Sequence, residues 1–193
     1  LEGDDVRQWS GKQNAFAREF LSQLPNRKEI RQRVTDVLAD ETASYGGVAT
    51  AGGLFFAMQR KPPKQQPFLI VLESLNDTTS ARVLVDPEEI DKEGTTKIDW
   101  FAPSPDGQLV AVSLSRKGTE SGDVHIFRTN DGERVGEIVP RVNGGTAGGD
   151  LAWLPDGKSF LYTRYPRGDE RPEVDRDFFQ QGYLHPLGEP TEK

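Results

Sequence analysis

A turn motif repeats along this chain. Pro105-Asp106-Gly107-Gln108 runs into Leu109-Val110-Ala111-Val112, and Pro155-Asp156-Gly157-Lys158 runs into Ser159-Phe160-Leu161-Tyr162, displaced by 50 residues. A weaker copy, Gly52-Gly53-Leu54-Phe55-Phe56, lies 54 residues ahead of the first. Asp-Gly between apolar runs supplies the positive φ of a tight hairpin, so each copy reads as strand, turn and antiparallel strand. Two unrelated Asp-Gly hairpins are the plain alternative. Apolar residues ahead of both turns, Trp100-Phe101 and Leu151-Ala152-Trp153, favour a true repeat. A period of this size is that of four-stranded propeller blades. Closed propellers hold about four to eight blades, while residues 46–193 supply at most about three at this spacing. The expectation is a mostly β chain, a partial propeller cut from a longer parent.

The first residues follow a different rule. From Asp4 to Leu24 the apolar residues Val6, Trp9, Phe16, Phe20, Leu21 and Leu24 recur at helical spacing. Pro25 stops that helix, and Asn26 with Glu29 resembles a capping box for a second, whose buried face would be Ile30, Val34 and Leu38. Beyond Asp40 the period changes to short apolar runs bounded by turn formers. The domains expected are a two-helix leader over 1–44 and blades over 45–193. Strands are expected at 54–59, 68–73, 82–85, 109–113, 124–128, 135–139, 151–153, 160–163 and 183–187.

Composition narrows the function classes. A net charge of −7 argues against nucleic-acid phosphates or anionic lipid as partners. No stretch approaches the roughly 18 apolar residues of a membrane span, and the acidic start is unlike a signal peptide. The reading is a soluble protein without nucleic-acid or membrane partners, of cytoplasm or periplasm alike. The absence of cysteine removes disulfides, thiolate metal sites and thiol nucleophiles.

Few residues offer chemistry. His125 and His185 lie 60 residues apart in strand-like segments, without the spacing of a metal site. They read as partly exposed strand histidines. Asp86, Glu88, Glu89 and Asp91 read as a solvated loop face rather than a cation site. Asp169, Glu170, Glu173, Asp175 and Asp177 alternate with Arg167, Arg171 and Arg176, as in a charged loop joining two strands across solvent. The run Gly144-Gly145-Thr146-Ala147-Gly148-Gly149 could present backbone N–H groups to phosphate. It lacks the Lys-Ser/Thr of a P-loop and leads into a strand rather than a helix. Neither cofactor nor metal is expected, and no catalytic residue is assigned.

These residues together resemble the prolyl oligopeptidases, S9-type serine peptidases in which a seven-bladed propeller caps an α/β-hydrolase domain. The family's leader pattern is matched in order by Leu1-Glu2, Trp9, Gln13-Asn14 and Leu24-Pro25-Asn26-Arg27. Leu1-Glu2 also fits a cloning remnant. Arg82-Val83-Leu84-Val85-Asp86-Pro87 resembles a family strand end, and Leu151-Ala152-Trp153, Pro155-Asp156-Gly157, Tyr162 and Tyr165-Pro166 resemble its third-blade segment. Phe178-Phe179-Gln180-Gln181, Tyr183, His185 and Leu187-Gly188 complete the series.

The resemblance implies an N-terminal, non-catalytic portion, with the Ser, Asp and His of the triad downstream. No Gly-x-Ser-x-Gly elbow occurs here. It implies the chain's own downstream hydrolase domain and oligopeptide substrates as partners, with the propeller as a steric filter. It also implies that the loop before Leu151 faces substrate, through Gly144, Gly145, Thr146, Gly148 and Gly149, although a plain interblade loop fits too. Many members carry an aromatic at a position that, counted back from Trp153, falls near Gly148, and its absence here puts strict post-proline specificity in doubt. The alternatives are a non-enzymatic propeller scaffold and a sister S9 peptidase of different P1 preference.

Overall fold

A computed structural model describes residues 3–39, 41–144 and 148–191. The chain divides into two units, Leu1–Thr42 and Ala43–Lys193. Leu1 and Glu2 lie outside the described residues, as do Gly145 and Thr146 of the glycine run.

The first unit holds α1 (Asp4–Ser22) and α2 (Arg27–Leu38), with Asp4 and Asp5 in the first turn of α1 where the helix dipole favours them. The expected capping box does not form. Asn26 sits at φ −96°, ψ 3°, outside the extended region an N-cap needs, and its side chain makes no cap bond. The expected burial of Ile30, Val34 and Leu38 is also corrected, because all three are exposed, as are Trp9, Phe16 and Phe20. Two helices of this length are too few to enclose an apolar stripe of their own.

The second unit consists of three antiparallel meanders, the first blades of a propeller. β1 (Ser44–Ala51), β2 (Leu54–Arg60), β3 (Phe68–Leu72) and β4 (Arg82–Val85) pair in that order. α3 (Pro87–Ile90) then leads to β5 (Thr96–Pro103), β6 (Leu109–Arg116), β7 (Gly122–Arg128) and β8 (Arg134–Asn143), again paired in order. The third sheet holds β9 (Leu151–Trp153), β10 (Ser159–Arg164) and β11 (Gln181–Pro186).

Each repeated turn joins the first strand of a blade to the second. Gly107 N–H donates to Ser104 O at 2.8 Å and Gly157 N–H to Leu154 O at 3.0 Å. The Asp106 carboxylate accepts from Gln108 N–H at 3.0 Å and that of Asp156 from Lys158 N–H at 2.9 Å. Gly107 and Gly157 take φ of 70° and 65°. The same bonds at equivalent positions make the two turns one motif. In Asp106 the Ser104 hydroxyl adds a bond of 2.6 Å and, with the Gln108 N–H, holds the carboxyl below its usual range.

The first two turns pack backbone against backbone. A Cβ on Gly107 would stand 2.6 Å from the Ala51 carbonyl oxygen, and one on Gly52 would overlap the Asp106 carbonyl. Between the blades lie two cores. Phe56, Leu69 and Val71 meet Val110, Val112, Leu114 and Phe127, while Ala111, Val124, Ile126 and Val139 meet Leu151, Phe160 and Tyr162. Blade 2 is covered on both faces, so β6 is buried at consecutive residues from Val110 to Ser115 rather than at alternate ones.

Candidate functional site

The glycine loop links β8 of the second blade to β9 of the third. Gly144 N–H donates to Gly148 O at 3.2 Å and Gly148 N–H returns a bond to Gly144 O at 2.9 Å, which closes the loop on itself. Gly148 stands at φ 67°, a backbone that glycine adopts without strain. A Cβ on Gly149 would overlap the Val142 carbonyl, and one on Gly144 would press the Tyr165 ring at 3.0 Å. At Gly144 and Gly149 glycine is set by close approach of neighbouring groups, and at Gly148 by its φ.

Two residues distant in sequence anchor the loop. The buried Tyr165 donates its hydroxyl to Gly144 O at 3.0 Å, and Gln180 Nε2 donates to Gly148 O at 3.0 Å. Both flank the charged loop between β10 and β11. Arg141, itself at φ 60°, donates from Nη2 to Arg176 O at 2.6 Å and to Asp177 at 3.0 Å. Arg167 Nη2 reaches Pro140 O at 3.1 Å. Most of the loop is exposed, in keeping with a charged loop joining two strands across solvent, and it is tied down where Arg167 meets Pro140 O and where Arg176 O and Asp177 accept from Arg141.

At the end of β10, Arg164 grips Glu170 of that loop with two bonds of 2.7 and 2.9 Å and lies 4.2 Å from the centroid of the Tyr183 ring. The Arg164 hydrogen bonds, followed by the Arg167 N–H, hold the Glu170 carboxyl down at about 2. Burial and the neighbouring Arg164 push Arg167 below its ordinary value. These groups are paired within the fold and tie the loop down.

The other sequence candidates are structural. His125 on β7 and His185 on β11 are buried, a correction to partial exposure, and burial pushes both below the ordinary imidazole value. His185 packs on Phe160, with ring centroids 5.1 Å apart. Asp86 is buried rather than solvated, where it caps α3 through Glu88 N–H at 3.0 Å and pairs with Lys64. Among the described residues, no group of three or more His, Asp or Glu side chains is placed to hold a metal ion, and no helix is long and apolar enough to cross a membrane.

Of the expected loop residues, Gly144, Gly148 and Gly149 come together in one closed turn. Sequence reasoning did not identify Tyr165 and Gln180 as its supports. They lie far along the chain, and a side-chain bond to a carbonyl leaves no motif.

Comparison with known proteins places this architecture. A family model described as "Prolyl oligopeptidase, N-terminal beta-propeller domain" matches residues 2–193. The prolyl endopeptidase of Elizabethkingia meningoseptica is 22% identical over 167 residues, 86% of this chain and 22% of the relative. Prolyl oligopeptidase A of Galerina marginata (strain CBS 339.88) is 22% identical over 215 residues, 97% of this chain and 28% of the relative. A structure from a study of two prolyl endopeptidases and their inter-domain dynamics matches with a TM-score of 0.81 and 25% identity, over 99% of this chain and 27% of that one. A post-proline cleaving enzyme from Rickettsia typhi shares the fold at a TM-score of 0.76 and 14% identity, over 100% of this chain and 29% of that one. The chain thus spans roughly a quarter of the length of these relatives. With three blades carrying the repeated turns and a family match along nearly their whole length, this chain belongs to the prolyl oligopeptidase family, as its N-terminal propeller region.

Proposed function

We propose that the chain is the non-catalytic leader and first blades of a prolyl-oligopeptidase-like serine peptidase, and that its propeller filters substrates by size. The observation that carries this reading is the ordered set of interlocked blades, a rigid wall that excludes folded proteins while flexible oligopeptides pass to a buried nucleophile. Exclusion needs no special side chain. The chemistry belongs to a downstream α/β-hydrolase domain, where a Ser–His–Asp constellation attacks the peptide carbonyl. The exposed Trp9, Phe16 and Phe20 of α1 supply a face for that domain. Movement of propeller against hydrolase gates entry, as lids do without joining the reaction.

The glycine loop is the substrate-facing element in this proposal. Its closed backbone leaves space over Gly148 where a side chain would stand, and that favours a second reading in which the P1 preference is not strictly proline.

Assaying the 193-residue chain and the full-length protein on a Z-Gly-Pro chromogenic peptide tests the main reading. The full-length protein is expected to cleave the peptide and spare the same sequence inside a folded protein, while the chain alone turns over neither. Turnover by the chain alone, or equal cleavage of the folded substrate, would overturn it. A full-length protein without a Gly-x-Ser-x-Gly elbow would indicate a binding scaffold instead. Profiling cleavage after Pro, Lys and Arg separates the two peptidase readings.

A further inference from the structure

At the end of β8 remote from the glycine loop, a cavity of about 530 Å³ lies on the seam between blades 1 and 2, a size that suits a small molecule. Leu54, Glu73 and Arg82 line it from blade 1, and Asp106, Arg128 and Thr129 from blade 2. Two of its four charged groups are already engaged. Arg128 pairs with Asp131 at 2.6 Å and Glu133 at 3.2 Å, while Asp106 accepts from the Ser104 hydroxyl and the Gln108 N–H. The other two are not. The Glu73 carboxylate has no hydrogen-bond or ion-pair partner among the described residues, and Arg82 meets only the Thr129 carbonyl. Glu73 follows the end of β3 and Arg82 opens β4, yet the two do not pair with each other. Opposite charges that line one cavity without meeting leave room for a ligand that bridges them. Thr129 adds a third open group. It is 3% exposed, its N–H donates to Gln108 O at 2.9 Å and its carbonyl accepts from Arg82, but its hydroxyl has no partner. Buried polar groups are seldom left so.

We propose that this cavity binds a small zwitterion, an amino acid or a short peptide with free termini, whose carboxylate meets Arg82, whose ammonium meets Glu73 and whose polar groups reach the Thr129 hydroxyl. The balance of charge selects the class. One open cation and one open anion offer a simple ion as much repulsion as attraction, whereas a ligand carrying both signs satisfies both. Such a molecule touches both blades, so its binding braces the seam that Gly52 and Gly107 close. The site stands apart from the glycine loop by the length of β8, and it does not depend on that loop facing substrate.

Isothermal calorimetry on the full-length protein tests this, with glycine and glycylglycine titrated through the roughly millimolar range expected of such small ligands. At least one should saturate. Tighter glycylglycine marks a short peptide as the occupant, and tighter glycine marks an amino acid. N-acetylglycine and glycinamide, each lacking one of the two charges, should bind about tenfold more weakly. Glu73→Gln, which breaks no bond within the fold, and Arg82→Gln should each weaken the zwitterion about tenfold, and Thr129→Val roughly fivefold. Glu89→Gln, at a carboxylate outside the cavity that pairs with Lys92, should leave it unchanged. No saturable binding of either zwitterion, or equal binding of the singly charged analogues, overturns the inference. Binding that survives Glu73→Gln also overturns it, because the ligand then sits elsewhere, as at a peptidase's own substrate site.

Discussion

Substituting Gly107 by Ala isolates what the interlocked turns contribute. Gly53, in the neighbouring hairpin, is the control. Both take positive φ, 70° and 79°, so alanine at either meets the same left-handed penalty of roughly 1–2 kcal/mol. The smaller conformational entropy of an alanine-containing unfolded chain shifts both in common by about 0.4–1 kcal/mol the other way. The net for Gly53→Ala, whose Cβ meets nothing within 4 Å, is about 1 kcal/mol. The Gly107 Cβ would lie 2.6 Å from Ala51 O and 3.1 Å from Gly52 Cα, both backbone atoms of a paired strand and its turn. Neither can rotate aside, so one blade must shift against the other, and overpacking of that kind adds roughly 1–3 kcal/mol. Gly107→Ala should therefore cost about 2–4 kcal/mol. For a unit of this size that is a fall in Tm of roughly 5–15 °C, against about 2–4 °C for Gly53→Ala. Thermal unfolding followed by circular dichroism on the two variants side by side measures the difference. Equal losses would refute the reasoning, because then the turn needs glycine for its φ alone.

Glu170→Gln should destabilise by about 1–2 kcal/mol, since it strips a buried arginine of its carboxylate while solvent screening at the half-exposed Glu170 limits the loss; urea unfolding of the variant checks it. Because Glu170 is held at about 2 in the fold, the wild type keeps this contribution above the ordinary value of 4.5 and loses it as pH falls toward 2, whereas the variant lacks that slope. The opposite protonation governs His125. Burial, then Arg134, keeps it neutral below its ordinary 6.5 against a smaller pull from Asp123, so stability is flat above that pH and declines as pH drops through it toward the lower folded value. Melting temperatures across that window should fall for the wild type and fall less for His125→Gln; identical profiles would remove His125 as the cause.

The blades were legible because turn chemistry is local. Pro-Asp-Gly states its hairpin within four residues, and the apolar runs after it belong to second strands buried on one or both faces. The first strands of blades 1 and 2 were not legible. β1 opens with Ser44-Tyr45-Gly46-Gly47, which reads as a turn but forms a strand, with Gly47 at φ 59° and a bulge between Gly46 and Ala49. β5 is broken by a bulge between Ile98 and Trp100 and ends on Pro103, which suits a strand paired on one side only. In α2, periodicity named the face that seeks a partner but could not supply one. The glycine loop was visible as composition, whereas its anchors act from 21 and 32 residues away, Tyr165 on Gly144 and Gln180 on Gly148. No spacing rule connects a glutamine to a distant carbonyl.

The pairing order of the sheets bears on how such a chain acquires its structure. Among the described residues every strand pairs with its neighbours in the chain, so each of the first two blades is a contiguous meander. Synthesis from the N-terminus can complete one sheet before the next is made, which keeps the search local despite the β content. The later steps are then dockings of finished sheets, β2 and β3 against β6, then β6 and β7 against β10, with the backbone contact of Gly52 and Gly107 as the latch of the first. A ribosome-stalled chain ending just after β4 should already protect the β2 and β3 amides from exchange.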